Sequence, residues 1–100
     1  MDGSISALDA LGGIRDAVGP SATVMMDSGI RRGSDVMKAL ALGADTVFLG
    51  RPYMWALAVG GQEAVESLLL NLLGDTDRAL VLCGCKSIRD LNRSYVTRCN

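Results

Sequence analysis

Residues 23–33 read Thr-Val-Met-Met-Asp-Ser-Gly-Ile-Arg-Arg-Gly, an apolar run over 23–26 followed directly by a polar loop with two glycines and two arginines. A short, continuous apolar run is typical of a strand that is buried on both faces of a sheet. A second such run, residues 46–49, is followed by Gly50-Arg51-Pro52. Because the order strand, glycine-arginine loop and helix occurs twice, the sequence predicts two neighbouring parallel strands with right-handed crossovers.

Helical periodicity precedes and separates the two strands. Residues 6–18 place leucine, isoleucine and valine side chains on one face at helical spacing, and Gly19-Pro20 ends this helix. Ser34 is predicted to be the N-cap of the next helix, since serine is favoured at that position. That helix is predicted to run to Leu42 and to end at Gly43.

The second half of the chain is predicted to be mainly helical. A short helix over residues 53–58 is expected to be interrupted by Gly60-Gly61, and a longer helix is expected over residues 62–82 with a weak point at Gly74. Ser87 is predicted to cap a last short turn. Two strands with helices on one side lack edge partners and a second cover, so the sequence predicts a piece of a larger α/β structure.

The two glycine-arginine loops predict an anion site. The C-terminal ends of parallel strands lie on one side of a sheet, so both loops are expected to face the same region of space. Glycines at positions 29, 33 and 50 would let backbone N–H groups approach an anion, and the helices that follow add positive potential. Arg31 and Arg51 each offer a forked, permanently charged donor that suits phosphate oxygens. The paired loops therefore predict a phosphate site.

Other residues in and near the loops have simpler interpretations. Asp27 either forms an Asx turn or accepts a hydrogen bond from a ligand hydroxyl beside the phosphate. Arg32 is interpreted as a solvated surface charge, and Tyr53-Met54-Trp55 as core packing. Four further aspartates fit helix ends and turns and are assigned no chemistry: Asp35, Asp45, Asp75 and Asp77.

The composition excludes several function classes. A net charge of −1 gives no general attraction to nucleic acid or acidic membranes. No histidine is present, so the side chain most easily poised for proton transfer near neutral pH is missing. Cys83, Cys85 and Cys99 are interpreted as reduced thiols of an intracellular, cytoplasmic protein, without disulfides or a metal. No apolar stretch is long enough to span a membrane, and no C-terminal peroxisomal signal is visible.

Several stretches together resemble one enzyme family. They are Asp27-Ser-Gly-Ile-Arg-Arg-Gly-Ser-Asp-Val, Lys38-Ala-Leu-Ala-Leu-Gly-Ala-Asp, Val47-Phe-Leu-Gly-Arg-Pro, Trp55-Ala-Leu-Ala-Val-Gly-Gly and Cys83-Gly-Cys-Lys-Ser-Ile. In this order they resemble the FMN-dependent α-hydroxy-acid oxidases and dehydrogenases, which include glycolate oxidase, lactate oxidase, flavin L-lactate dehydrogenase and mandelate dehydrogenase. The resemblance covers residues 2–96 and is most specific over residues 27–61.

The resemblance implies a fold and a cofactor. The family fold is an α/β fold, a (β/α)8 TIM barrel, and this chain resembles its C-terminal quarter, strands 7 and 8 with their helices. The loops after those strands frequently form a phosphate site in such barrels. The implied cofactor is FMN, and the implied cofactor-binding residues are Asp27, Ser28, Gly29, Ile30, Arg31, Gly50 and Arg51. Asp27 would contact the ribityl chain, while the glycines and arginines would surround the FMN phosphate.

The resemblance also implies an activity that this chain alone does not complete. Family members oxidise a 2-hydroxy acid, such as L-lactate or glycolate, to the 2-oxo acid, and they often form homo-oligomers. Their histidine base and substrate-binding arginine precede a Leu-Asp-Gly that matches Met1-Asp2-Gly3, so no catalytic residue is expected here. Two alternatives stay open. The chain could be a non-catalytic fragment or interaction module, or part of another phosphate-binding barrel such as IMP dehydrogenase or type 2 isopentenyl-diphosphate isomerase.

Overall fold

Helices alternate with two short strands in the structure, a computed structural model that describes residues 3–99. The elements in chain order are α1 (Ala7–Val18), β1 (Met25–Met26), α2 (Gly33–Leu42), β2 (Thr46–Val47) and α3 (Arg51–Leu82). Two single-turn 3-10 helices follow, Ile88–Asp90 and Arg93–Tyr95. The alternation of helices and strands therefore agrees with the predicted order.

The two strands are parallel neighbours, as predicted. Met25 pairs with Thr46, and Met26 pairs with Val47. Both strands are shorter than predicted, and the ladder between them has two residue pairs. Burial on both faces was the wrong expectation: Met26 is buried, whereas Met25 is 60% exposed and Phe48 is 51% exposed. Only one face of this small sheet is covered by the described residues.

The core lies between α1, the covered face of the sheet and α2. Its buried members are Leu11, Val24, Met26, Ile30, Ala39 and Ala44. A second, smaller cluster of Met37, Leu80 and Cys85 joins α2 to the C-terminal part of α3. Helix α2 therefore contacts both clusters, and it fixes the loop that precedes it relative to the rest of the chain.

Helix α2 begins two residues earlier than expected. Its N-cap is Arg32, with extended backbone dihedral angles, and Gly33 is its first residue. The predicted N-cap, Ser34, lies inside the first turn, so that prediction is wrong. At the other end the prediction is confirmed, because Gly43 terminates the helix with a φ of 113°, which is readily accessible only to glycine.

Helix α3 bends where the paired glycines predicted an interruption. Gly60 and Gly61 have non-helical dihedral angles, and Gly61 has a φ of 63°. The helix continues through Gly74 to the predicted end at Leu82. Ser87 caps the following turn as predicted, accepting a hydrogen bond from the Arg89 N–H at 3.2 Å. Among the helices described, α3 included, none is apolar enough over a sufficient length to cross a membrane.

The second half of α3 packs closely on the start of α2. A Cβ added at Gly33 would lie 2.3 Å from the Thr76 nitrogen and 2.4 Å from the Asp75 carbonyl carbon, both backbone atoms. The Gly33 N–H donates to the Asp75 carboxylate at 2.6 Å. This contact holds the two residues that follow Gly74 against the start of α2.

Two glycine-to-alanine substitutions should therefore change stability in opposite directions. Gly33→Ala forces a backbone displacement and should lower the free energy of unfolding by about 3 kcal/mol. Gly13→Ala, at an exposed position inside α1 with no atom within 4 Å of the new Cβ, should raise it by about 0.5–1 kcal/mol. Urea unfolding followed by circular dichroism measures both. A Gly33→Ala variant as stable as the original chain would contradict the close packing of α2 on α3.

Candidate functional site

The loops that follow β1 and β2 line a single cleft of about 330 Å³. All seven residues that the sequence predicted as cofactor ligands line it: Asp27, Ser28, Gly29, Ile30, Arg31, Gly50 and Arg51. Phe48, Leu49 and Pro52 complete the wall. The structure therefore brings the two glycine-arginine loops side by side, as the parallel pairing of the strands required.

The first loop is held in an unusual backbone conformation. Ser28 and Gly29 have φ values of 85° and 80°, in the left-handed region that non-glycine residues seldom occupy. Ile30, next in the chain, places its side chain in the core and is only 4% exposed. The buried isoleucine anchors the loop, while the residues on either side of it are exposed. A strained loop that is anchored in this way is typical of a functional site.

Carboxylate groups accept the hydrogen bonds that the backbone donates at the start of α2. The Asp35 Oδ2 accepts hydrogen bonds from the Arg31 and Arg32 N–H groups, each at 3.0 Å. The Gly33 N–H donates to Asp75. The expectation that Gly33 presents its N–H to an anion is therefore wrong, and these three N–H groups shape the loop instead. Asp35 and Asp75 both position this loop, although the sequence assigned them no chemistry.

The N-terminus of α3 remains open toward the cleft. Gly50 is its N-cap, and within residues 3–99 no side chain caps its first turn. Arg51 and Pro52 form the start of the helix, and proline has no N–H that needs a partner. A helix N-terminus of this kind offers backbone donors and partial positive charge to an anion.

The arginines of the chain fall into two groups. Four of them pair with carboxylates: Arg15, Arg78, Arg93 and Arg98. The other four, Arg31, Arg32, Arg51 and Arg89, form no ion pair with any residue the structure describes, and of these Arg31 and Arg51 line the cleft. The positive charge of these two cleft side chains is therefore not neutralised by a carboxylate of residues 3–99, which favours binding of an anion in the cleft.

Two further side chains bear on the cleft. The Asp27 carboxylate makes no hydrogen bond within residues 3–99, so the Asx-turn interpretation is wrong and its oxygens remain for a ligand. The guanidinium carbon of Arg31 lies 4.8 Å from the centre of the Trp55 ring. Trp55 is 50% exposed, Met54 52% and Tyr53 41%, so core packing is the wrong interpretation for these three residues. The position of Trp55 one helical turn after Arg51 was a signal that it shares a face with that arginine.

The chemistry available in this cleft is anion binding. Two unpaired guanidinium groups, exposed glycine backbone and a helix N-terminus suit a phosphate group. Residues 3–99 contain no cluster of cysteine, aspartate and glutamate side chains that could hold a metal ion. Consecutive βα units with such a cleft beyond the C-terminal strand ends are typical of phosphate-binding α/β proteins.

Comparison with known proteins assigns the chain to a family within that class. Residues 1–98 match the FMN-dependent dehydrogenase family, and the chain belongs to it. It is 48% identical over 98 residues to an FMN-dependent α-hydroxy acid dehydrogenase of Penicillium citrinum, covering 98% of this chain and 24% of the relative. It is 52% identical over 91 residues to the pre-mycofactocin synthase of Mycolicibacterium smegmatis, covering 91% of this chain and 23% of the relative.

A solved structure extends the likeness to three dimensions. A mandelate oxidase with an FMN adduct superposes with a TM-score of 0.87 at 45% identity, covering 93% of this chain and 30% of that protein. The chain therefore spans about a quarter of the length of the curated relatives above. The resemblance inferred from the loop sequences is confirmed, and so is FMN as the cofactor of the family.

Proposed function

We propose that this chain supplies the phosphate end of the FMN site in an FMN-dependent TIM-barrel enzyme. In this proposal residues 1–100 form the C-terminal part of the enzyme's domain, and β1 and β2 are strands 7 and 8 of the barrel. One observation carries the proposal. Two arginines without carboxylate partners, Arg31 and Arg51, line one cleft between loops that follow adjacent parallel strands.

The cleft residues fit the polar end of FMN group by group. The Arg31 and Arg51 guanidinium groups would donate to phosphate oxygens, and the exposed backbone at Gly29 and Gly50 allows close approach of the same oxygens. The free Asp27 carboxylate would accept a hydrogen bond from a ribityl hydroxyl. Bound FMN supplies a two-electron acceptor, and the part of these residues is to hold and orient it.

The whole enzyme is proposed to oxidise a small 2-hydroxy acid to the 2-oxo acid. The support is the identity of the relatives, an α-hydroxy acid dehydrogenase and a mandelate oxidase. Pre-mycofactocin synthase carries a different name at 52% identity, so a shared FMN site does not by itself select the substrate. A homo-oligomeric assembly and a cytoplasmic location are part of the same proposal, the latter consistent with three free cysteines.

Removing either cleft arginine should weaken FMN binding. Arg31→Ala and Arg51→Ala should each reduce the affinity about tenfold, because a hydrogen bond to a charged group contributes about 1.5 kcal/mol or more. Arg32→Ala is the matched control in the same loop and should change the affinity less than twofold. Amide NMR shifts of the labelled chain, titrated with FMN at low ionic strength, measure all three.

Riboflavin, which lacks the phosphate, tests whether the arginines bind the phosphate or the rest of the flavin. Its binding should be equally weak in the original chain and in both arginine variants. An equal loss of FMN affinity in Arg32→Ala, or a loss of riboflavin binding in step with FMN, would contradict a phosphate site at Arg31 and Arg51.

A further inference from the structure

We propose that Trp55 is a positioning residue that holds the Arg31 guanidinium ready for phosphate, an inference that rests on the proposed phosphate site. The Arg31 guanidinium carbon lies 4.8 Å from the centre of the Trp55 ring, within the range of a cation–π contact. Trp55 is half exposed, so its ring is presented to the surface rather than used to fill the core. The ring is therefore available as a platform for a side chain of the neighbouring loop.

The type of contact suits a phosphate-binding arginine. A carboxylate partner would occupy the N–H groups of the guanidinium and neutralise its charge, as occurs at Arg15 and Arg93. An aromatic ring contacts the flat face of the guanidinium, and the N–H donors point outward in its plane. Stacking thus fixes the side chain while it leaves both the charge and the donors for an anion.

Arg31 is held at both of its ends. Its backbone N–H donates to the Asp35 carboxylate at 3.0 Å, and its guanidinium lies over Trp55. Trp55 follows Arg51 by four residues on α3, so the two lie on the same face of that helix. The ring therefore brings Arg31 to the side of the cleft from which Arg51 also projects. A side chain that is already ordered loses less conformational freedom when it binds a ligand.

The stacking itself is testable without any ligand, because Trp55 is the sole tryptophan of the chain. Arg31→Gln should increase the acrylamide quenching constant of the tryptophan fluorescence, since the guanidinium no longer covers the ring. Arg32→Gln, the matched control in the same loop, should leave the constant unchanged. An unchanged constant in Arg31→Gln would overturn the stacking whatever the chain binds.

The contribution to binding is tested with FMN and two substitutions of the ring. Trp55→Leu should weaken FMN binding roughly two- to fivefold, the effect expected of an exposed cation–π contact, whereas Trp55→Phe should restore most of the affinity. Tyr53→Leu, which removes another exposed aromatic ring from the same turn, should leave FMN binding unchanged. Because Trp55 is half exposed, the helix content of these variants by circular dichroism should equal that of the original chain.

The outcomes separate this inference from the proposed function. If Trp55→Leu binds FMN as well as the original chain does, Trp55 does not position Arg31 for binding, although the phosphate site stands. If the original chain binds no FMN at any concentration, the proposed phosphate site fails, and the binding contribution of Trp55 is overturned with it. Equal losses of FMN affinity in Trp55→Leu and Trp55→Phe would also overturn the inference, because the loss would then not arise from removal of an aromatic ring face.

Discussion

Mixing the purified chain with FMN and L-lactate, glycolate or L-mandelate under anaerobic conditions should leave the flavin oxidised. Oxidation of a 2-hydroxy acid requires a base that accepts the proton of the substrate hydroxyl, and the sequence contains no histidine. General-base catalysis typically contributes about 10²–10⁴-fold to the rate. The family resemblance also implies that the substrate-binding arginine is not among the residues of this chain, so we expect the carboxylate of the substrate not to be oriented.

We expect no residue that lines the cleft to replace that base. Asp27 is the acidic residue among those that line it. We expect Asp27 not to replace the histidine, because its carboxylate is proposed to accept a hydrogen bond from a ribityl hydroxyl of FMN. Asp35, near the start of α2, is also an unsuitable base, because its carboxylate already accepts two backbone hydrogen bonds.

A full-length family member in the same assay provides the positive control, with bleaching of the flavin absorbance as the readout. The Asp27→Asn variant tests the remaining acidic group, and it should be as inactive as the original chain. Rapid bleaching by the original chain with any of the three acids would show that a catalytic base lies within these 100 residues.

Local patterns were sufficient to predict the elements and the place of the site. The two apolar runs predicted adjacent parallel strands, and the loops after them predicted a shared cleft. Both predictions are confirmed by the Met25–Thr46 pairing and by the residues that line the cleft. The bend at Gly60-Gly61 was also predictable, because two glycines in succession destabilise a helix at that point.

Long-range contacts account for most of what the sequence did not predict. Asp75 lies 42 positions after Gly33 and accepts its N–H, a contact that no local pattern indicates. The contacts of Asp35 could have been predicted more easily, because an acidic residue in the first turn of a helix commonly accepts hydrogen bonds from backbone N–H groups that precede it. The Arg31–Trp55 contact joins the loop after β1 to helix α3 through tertiary structure, so the exposed ring was misinterpreted as core.

Replacing Arg15 by alanine should cause the largest loss of stability of any single arginine substitution in this chain. The Arg15 Nε donates to the Gly43 carbonyl at 2.7 Å, and Nη1 donates to the Gly19 and Ala22 carbonyls at 3.0 and 2.7 Å. The Nη2 group pairs with the Asp45 carboxylate. One side chain thus joins the ends of α1 and α2 to the segments that lead into both strands.

The size of the loss follows from the number and burial of these contacts. The Arg15 side chain is only 16% exposed, and each of its three hydrogen bonds to carbonyl groups contributes about 1 kcal/mol. Arg15→Ala should therefore lower the free energy of unfolding by about 3 kcal/mol, roughly a hundredfold in the folding equilibrium. Arg78→Ala is the matched control. Its side chain is 71% exposed and pairs with Asp75 at 3.6 Å, so its removal should cost less than about 0.5 kcal/mol.

The acid response of the same variant distinguishes the ion pair from the other contacts. The pKa of Asp45 lies below its ordinary value of 3.8, first because the Val24 N–H donates to its carboxylate and second because Arg15 does. A carboxyl group whose pKa is lowered by folding stabilises the folded protein at pH values above its ordinary pKa. This contribution is lost as the pH falls through the lowered pKa.

The urea concentration at the unfolding midpoint of the original chain should therefore decrease when the pH is lowered from 7 to 3. The midpoint of Arg15→Ala should decrease less, because only the Val24 contact remains to lower the pKa of Asp45. Arg93 likewise lowers the pKa of Asp16 by hydrogen bonding, but this contact is present in both proteins and cancels in the comparison. If the midpoints of both proteins fell equally with pH, the pairing of Arg15 with Asp45 would not contribute to stability, and the loss at pH 7 would then arise from the three carbonyl contacts alone.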